Sequence, residues 1–185
     1  EPIIVETRPE NGLKLTAAEF RAAITPQTRM LFLCSPSNPS GAVYSRDELA
    51  ALAEVAVEYG IYVLSDEIYE KLVYDGAEHH SIAALNPEIK ALSIVVNGVS
   101  KAYSMTGWRI GYTGASAEII GGMNKVQSQE VSHPSSMSQK AAVEALDGPQ
   151  QSVEEMRQAF DERRRYMVER LNAIAGIGCA LPQGA

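Results

Sequence analysis

Asn97-Gly98-Val99-Ser100-Lys101-Ala102-Tyr103-Ser104-Met105-Thr106-Gly107-Trp108-Arg109-Ile110-Gly111-Tyr112 places a lysine and an arginine in a loop of small residues, between the apolar runs 91–96 and 110–113. Lys101 is placed to leave the end of a strand and point into a cleft. An amine that acts as a nucleophile must shed its proton, and a lysine near another cation or out of water does so more readily. Arg109 suits a different task, because its planar fork holds a phosphate by two parallel hydrogen bonds. Together they fit an aldehyde cofactor that carries a phosphate. Taken alone, the pair also fits a surface lysine and an arginine in an ordinary ion pair.

Outward from this loop, apolar runs alternate with helical periods. The runs 30–34 and 61–65 are apolar on both faces, as strands in the middle of a parallel sheet are. Between them Ser45-Arg46-Asp47-Glu48 has the spacing of a capping box, Leu49, Leu52, Ala53 and Ala56 recur at helical intervals, and Gly60 is placed to end the helix. A strand-helix-strand unit of this kind predicts a right-handed parallel crossover. Upstream, 1–7 reads as a short strand, Pro9-Glu10-Asn11-Gly12 as a turn, and Thr16-Ala17-Ala18-Glu19 as a second capping box, opening a helix that Pro26 stops. Residues 70–88 have no period and read as a long loop, or a strand and turn, near the cleft. His79 and His80 lie there and read as exposed; no third ligand has a supporting spacing, so no metal site is predicted.

Downstream, 91–96 and 109–113 read as strands, with Trp108 packed in the core. Ser116 caps a helix whose Ile119, Ile120, Met123 and Val126 face inward, 135–146 is a helix closed by Gly148, and 149–174 is the longest helix. The pattern predicts an α/β fold of three layers, a mostly parallel sheet flanked by helices. Ligands of such sheets bind in the crevice beyond the carboxyl ends of the strands. Asn38, Asp66 and Lys101 each follow an apolar strand by a few residues, so all three are predicted to converge there.

Composition narrows the function classes. With 16 basic and 23 acidic residues the formal charge is −7. The basic residues form no stripe apart from Arg163-Arg164-Arg165, which reads as a solvated helix face, and neither a nucleic acid nor an anionic membrane is predicted as partner. No apolar run approaches the roughly 20 residues of a membrane span. Cys34 and Cys179 are far apart, and Cys34 sits in an apolar run where a buried reduced thiol is the default, which implies a cytoplasmic chain. A nicotinamide site is excluded because no Gly-x-Gly-x-x-Gly follows an apolar strand.

The lysine loop resembles the pyridoxal-phosphate segment of class I aminotransferases, most closely the bacterial aspartate aminotransferase branch. Ser35-Pro36-Ser37-Asn38-Pro39-Ser40-Gly41 resembles that family's asparagine-proline loop, and Ser65-Asp66-Glu67-Ile68-Tyr69 its aspartate-tyrosine segment. The resemblance runs over effectively the whole chain. It implies a Schiff base between pyridoxal 5'-phosphate and Lys101, which then moves the substrate's alpha proton, and Arg109 on the phosphate. It further implies Asp66 on the ring nitrogen, and Asn38 and Tyr69 donating to the ring's phenolic oxygen, with Asn38 also at the substrate. The implied reaction passes an amino group between an amino acid, such as aspartate, and a 2-oxo acid, in a homodimer. Alternatives on the same scaffold are a lyase or synthase, or the aminotransferase-like sensor domain of a transcription regulator.

Two departures bear on these expectations. Many relatives carry a serine three residues before the lysine, where this chain has Gly98, and Ser100 stands beside Lys101 instead. Both ends read as interior sequence, and the family's members are much longer. The resemblance therefore implies that 1–148 is the C-terminal portion of a cofactor-binding large domain, 149–175 a long interdomain helix, and 176–185 the start of a truncated small domain. The family's second phosphate turn and ring-stacking aromatic then lie upstream, and its carboxylate-clamping arginine downstream, so the 185 residues alone are predicted to bind cofactor weakly and not turn over.

Overall fold

The structure is a computed structural model that describes residues 1–185. Its centre is a four-stranded sheet. β1 (Met30–Cys34), β2 (Tyr62–Asp66) and β3 (Ser93–Gly98) run parallel in that order, and β4 (Gly111–Gly114) pairs antiparallel with β3. The predicted α/β class and mostly parallel sheet are what is found.

Capping chemistry sets the first two helices. The Thr16 and Ser45 side chains each accept a hydrogen bond from the backbone N–H three residues on, and the Glu19 and Glu48 carboxylates accept in turn from the Thr16 and Ser45 backbone N–H groups, so both predicted capping boxes are formed. They open α1 (Ala17–Ala23) and α2 (Arg46–Tyr59); Gly60, at φ 64°, closes α2 in the left-handed region that favours glycine. Leu49, Leu52, Val55 and Ala56 of α2 pack with Leu33 of β1 and Val63 of β2, and Phe20, Ile82 and Ile89 complete this core. At about 25 cal/mol per Å² of apolar area, this cluster is the main source of the fold's stability.

Other expectations are corrected. Residues 1–7 form no strand, and Ile3 and Ile4 are exposed. β1 lies at the sheet edge rather than in its middle, and Phe32 is 75% exposed. Two-faced apolarity reports that both faces want cover, not which strands flank them. The face bearing Phe32 and Tyr62 is the one that α1 and α2 do not cover. Residues 87–92 form a short helix, α3 (Pro87–Leu92), so β3 starts at Ser93 and not at Ala91.

Three further helices follow: α4 (Ala117–Glu130), α5 (Ser136–Asp147) and α6 (Gln151–Asn172). Met123 and Val126 of α4 are exposed, not inward, because no element of the chain packs on that face. Trp108 is also outside the core, 47% exposed on a single 3-10 turn. α6 has 22 residues, about 33 Å at 1.5 Å per residue. Arg164 on it is buried rather than solvated: it pairs with Asp75 and Asp161 and its guanidinium lies 4.5 Å from the Tyr74 ring centroid. The last residues fold back against this loop, where Gly184 bridges Val73 and both Gln183 and Gly184 donate to the Gly41 carbonyl. No helix is long and apolar enough to cross a membrane.

Candidate active site

Parallel pairing brings the predicted residues to one edge. Asp66 is the last residue of β2, in register with Cys34 of β1 and Val96 of β3. The ladder continues past the strands: Ser35 N–H donates to the Asp66 carbonyl at 3.1 Å, and Glu67 N–H to the Val96 carbonyl at 2.9 Å. The asparagine-proline loop, the aspartate-tyrosine turn and the lysine loop therefore leave the sheet side by side. Asp66 fixes its own turn by accepting from Ile68 N–H at 3.1 Å.

Tyr69 is where these segments meet. The Asn38 amide donates to its hydroxyl at 3.3 Å, and Lys101 Nζ lies 5.5 Å from its ring centroid. Lys101 is half-buried between the buried Val99 and Ala102, which anchor the loop on either side of it. Neither Lys101 nor Arg109 has a carboxylate within ion-pair distance, so the reading as an ordinary ion pair fails. Arg109 adopts a left-handed conformation at φ 53° and donates to the Thr106 carbonyl, while the Thr106 hydroxyl donates to the Ser100 carbonyl. Its turn is thus tied to the lysine loop, with most of its five N–H donors left for a ligand.

Gly98 is explained by its surroundings. A Cβ there would sit 3.1 Å from both Gly111 Cα and the Ile110 carbonyl oxygen, so the β3–β4 approach leaves a serine little room. The lysine loop is braced by α6, where Tyr103 donates to the Gln150 side chain and Ser104 to the Met156 sulfur. Burial pushes the Cys34 thiol above its ordinary pKa, with a smaller contribution from the Asp66 charge. Cys34 is partly exposed and free, as is Cys179.

The arrangement can bind an anion, hold a proton on a ring nitrogen and present an amine to an aldehyde. A cavity of about 1290 Å³ lies between residues 1–5 and β1 and reaches Ser37, Pro39 and Ser40, but none of Asn38, Asp66, Tyr69, Lys101 or Arg109 lines it.

Comparison with known proteins accords with this geometry. The family described as "Aminotransferase class I and II" matches residues 1–185. The chain belongs to this aminotransferase family. It is 50% identical to an aspartate aminotransferase of Bacillus sp. (strain YM-2), covering all of this chain and 47% of that protein. The crystal structure of the aspartate aminotransferase from Rhizobium meliloti superimposes with a TM-score of 0.98 at 48% identity, over 100% of this chain and 46% of the other. The aromatic aminotransferase from Pyrococcus horikoshii gives 0.96 at 40% identity, over 100% and 50%. The chain thus spans about half the length of the aminotransferases it matches.

Sequence reasoning missed a group beside the candidate site residues. Glu67, 3% exposed, accepts from the Ser65 and Ser81 hydroxyls and lies 3.1 Å from His79 Nε2. His79, expected to be exposed, is largely enclosed with a side chain only 12% accessible. The one available signal was the consecutive pair Asp66-Glu67, since adjacent strand residues point to opposite faces and only one can face the cleft.

Proposed function

We propose that the protein carrying this chain is a pyridoxal-phosphate-dependent aminotransferase, passing an amino group between aspartate or a related amino acid and a 2-oxo acid, as a homodimer. The observation that carries this is Lys101: an amine with no carboxylate partner, beside a tyrosine whose hydroxyl is already engaged by an amide. Pyridoxal phosphate, when bound, supplies the aldehyde and the electron sink for amino-group chemistry. The donor types suit it: a carboxylate at the end of β2, and an amine and a guanidinium between β3 and β4, none of them in an ion pair with another, and Lys101 stands against the Asn38–Tyr69 pair.

With the cofactor bound, Lys101 would be the amine toward its aldehyde and the base and acid that move a substrate's alpha proton. Asp66 would hold the proton on the ring nitrogen, and Arg109 would hold the phosphate through its fork. Asn38 and Tyr69 would offer hydrogen bonds to the phenolic oxygen, with Asn38 also at the substrate. Substrate class follows the relatives named aspartate aminotransferase, while the aromatic aminotransferase shows that the same scaffold accepts another side chain.

The test is amino transfer from aspartate to 2-oxoglutarate by the full-length protein. Formation of glutamate and oxaloacetate supports the reading. Release of ammonia or carbon dioxide with no amino transfer would assign a lyase instead, and cofactor binding with no turnover of any amino acid would assign a sensor.

A further inference from the structure

β2 leads into two consecutive carboxylates with different surroundings. Asp66 stands half-exposed and accepts from a single backbone N–H. Glu67 turns into the protein, where one oxygen receives Ser65 Oγ at 2.9 Å and Ser81 Oγ at 2.8 Å, and the other faces His79 Nε2 at 3.1 Å. A buried carboxylate is strongly unfavourable unless its oxygens are satisfied. Three partners from two segments satisfy this one. Its backbone is pinned too, with N–H donating to Val96 and the carbonyl accepting from Glu70, both at 2.9 Å.

His79 presents Nε2 to a carboxylate oxygen, and its buried Nδ1 has no partner. Glu70 approaches the same group, with ligand atoms of Glu67, Glu70 and His79 all within 4.8 Å of one another. Both Glu67 oxygens are engaged, Oε1 by the two hydroxyls and Oε2 by His79, so the cluster ties the end of β2 to residues 79–81. Its place in the chain matters more than its contents. Asp66 lies one residue before Glu67 and Tyr69 two after, so the cluster sits between the carboxylate assigned to the ring nitrogen and the tyrosine assigned to the phenolic oxygen.

We infer that Glu67, held by Ser65, Ser81 and His79, is a positioning residue that fixes the aim of Asp66 and Tyr69 at the cofactor. The inference rests on the function proposed above. A functional constellation works only when its supporting contacts hold it to within about half an ångström, and a satisfied buried carboxylate at the strand end is such a support.

The test measures the dissociation constant for pyridoxal phosphate, together with thermal stability, in the full-length protein and four variants. E67A is expected to weaken binding at least about tenfold, the scale on which supporting contacts act. E67Q is expected to stay within about twofold of wild type, since an amide of the same shape keeps both hydroxyl contacts and His79 can place its proton on Nδ1 to receive it. S81A, which removes one donor and keeps the carboxylate, is expected to fall between them, and it decides the matter if E67A does not fold. L52A, a core truncation far from the site, is expected to lower stability and leave the constant unchanged. Equal weakening in the Glu67 or Ser81 variants and L52A, an unchanged constant in E67A or in S81A, or an E67Q as weak as E67A, overturns the inference and leaves the aminotransferase reading intact. Wild-type protein that binds no pyridoxal phosphate overturns both.

Discussion

At Gly98 an added Cβ would stand 3.1 Å from the backbone of the neighbouring strand, closer than ordinary van der Waals contact. Backbone cannot yield as a flexible side chain does, so G98S is expected to lose about 1–3 kcal/mol of stability, measured by urea unfolding. The chemical residues give sharper predictions. D66N is expected to lower kcat on the order of a hundredfold or more, because an amide cannot hold a positive ring nitrogen as a carboxylate does. R109K is expected to weaken pyridoxal phosphate binding measurably, since a point charge does not replace a bidentate fork. Asn38, Asp66, Tyr69, Lys101 and Arg109 stand out as candidates in the sequence because their types and order sit in short motifs beside apolar runs. Glu67, His79 and Ser81 do not, because their contacts join residues 12 and 14 apart across a segment without any period.

Elements were legible where their signals are local. Both capping boxes and the Gly60 stop involve residues a few positions apart, and S45A is accordingly expected to cost about 1 kcal/mol in a denaturant titration. α3 escaped notice although Asn86 caps it and Pro87 opens it, because six residues are too few to display a period. Arg164 was misread for a different reason: its neighbours Tyr74 and Asp75 are remote in sequence, and an arginine among acidic residues on a helix looks solvated. R164A is expected to cost about 2 kcal/mol, less than a fully buried pair because Asp75 and Asp161 both reach solvent. The same variant should loosen residues 180–185, which hydrogen exchange at Gln183 and Gly184 would register as faster exchange.

For the whole molecule, the decisive asymmetry is that one face of the sheet has a helical core and the other bears Phe32 and Tyr62 in the open, while Met123 and Val126 of α4 are exposed as well. Apolar periodicity marked these residues as wanting cover, and Met123 and Val126 as inward, but it carried no information on what covers them, and the relatives are about twice as long as this chain. The 185 residues alone are therefore expected to bind a hydrophobic dye, to hold pyridoxal phosphate weakly, and not to turn over. Whether Lys101 is the amine that engages the aldehyde is measured by borohydride reduction of the full-length protein with bound pyridoxal phosphate, followed by peptide mass mapping. A single pyridoxyl adduct on Lys101 is expected, and an adduct on another lysine, or none, would overturn that assignment.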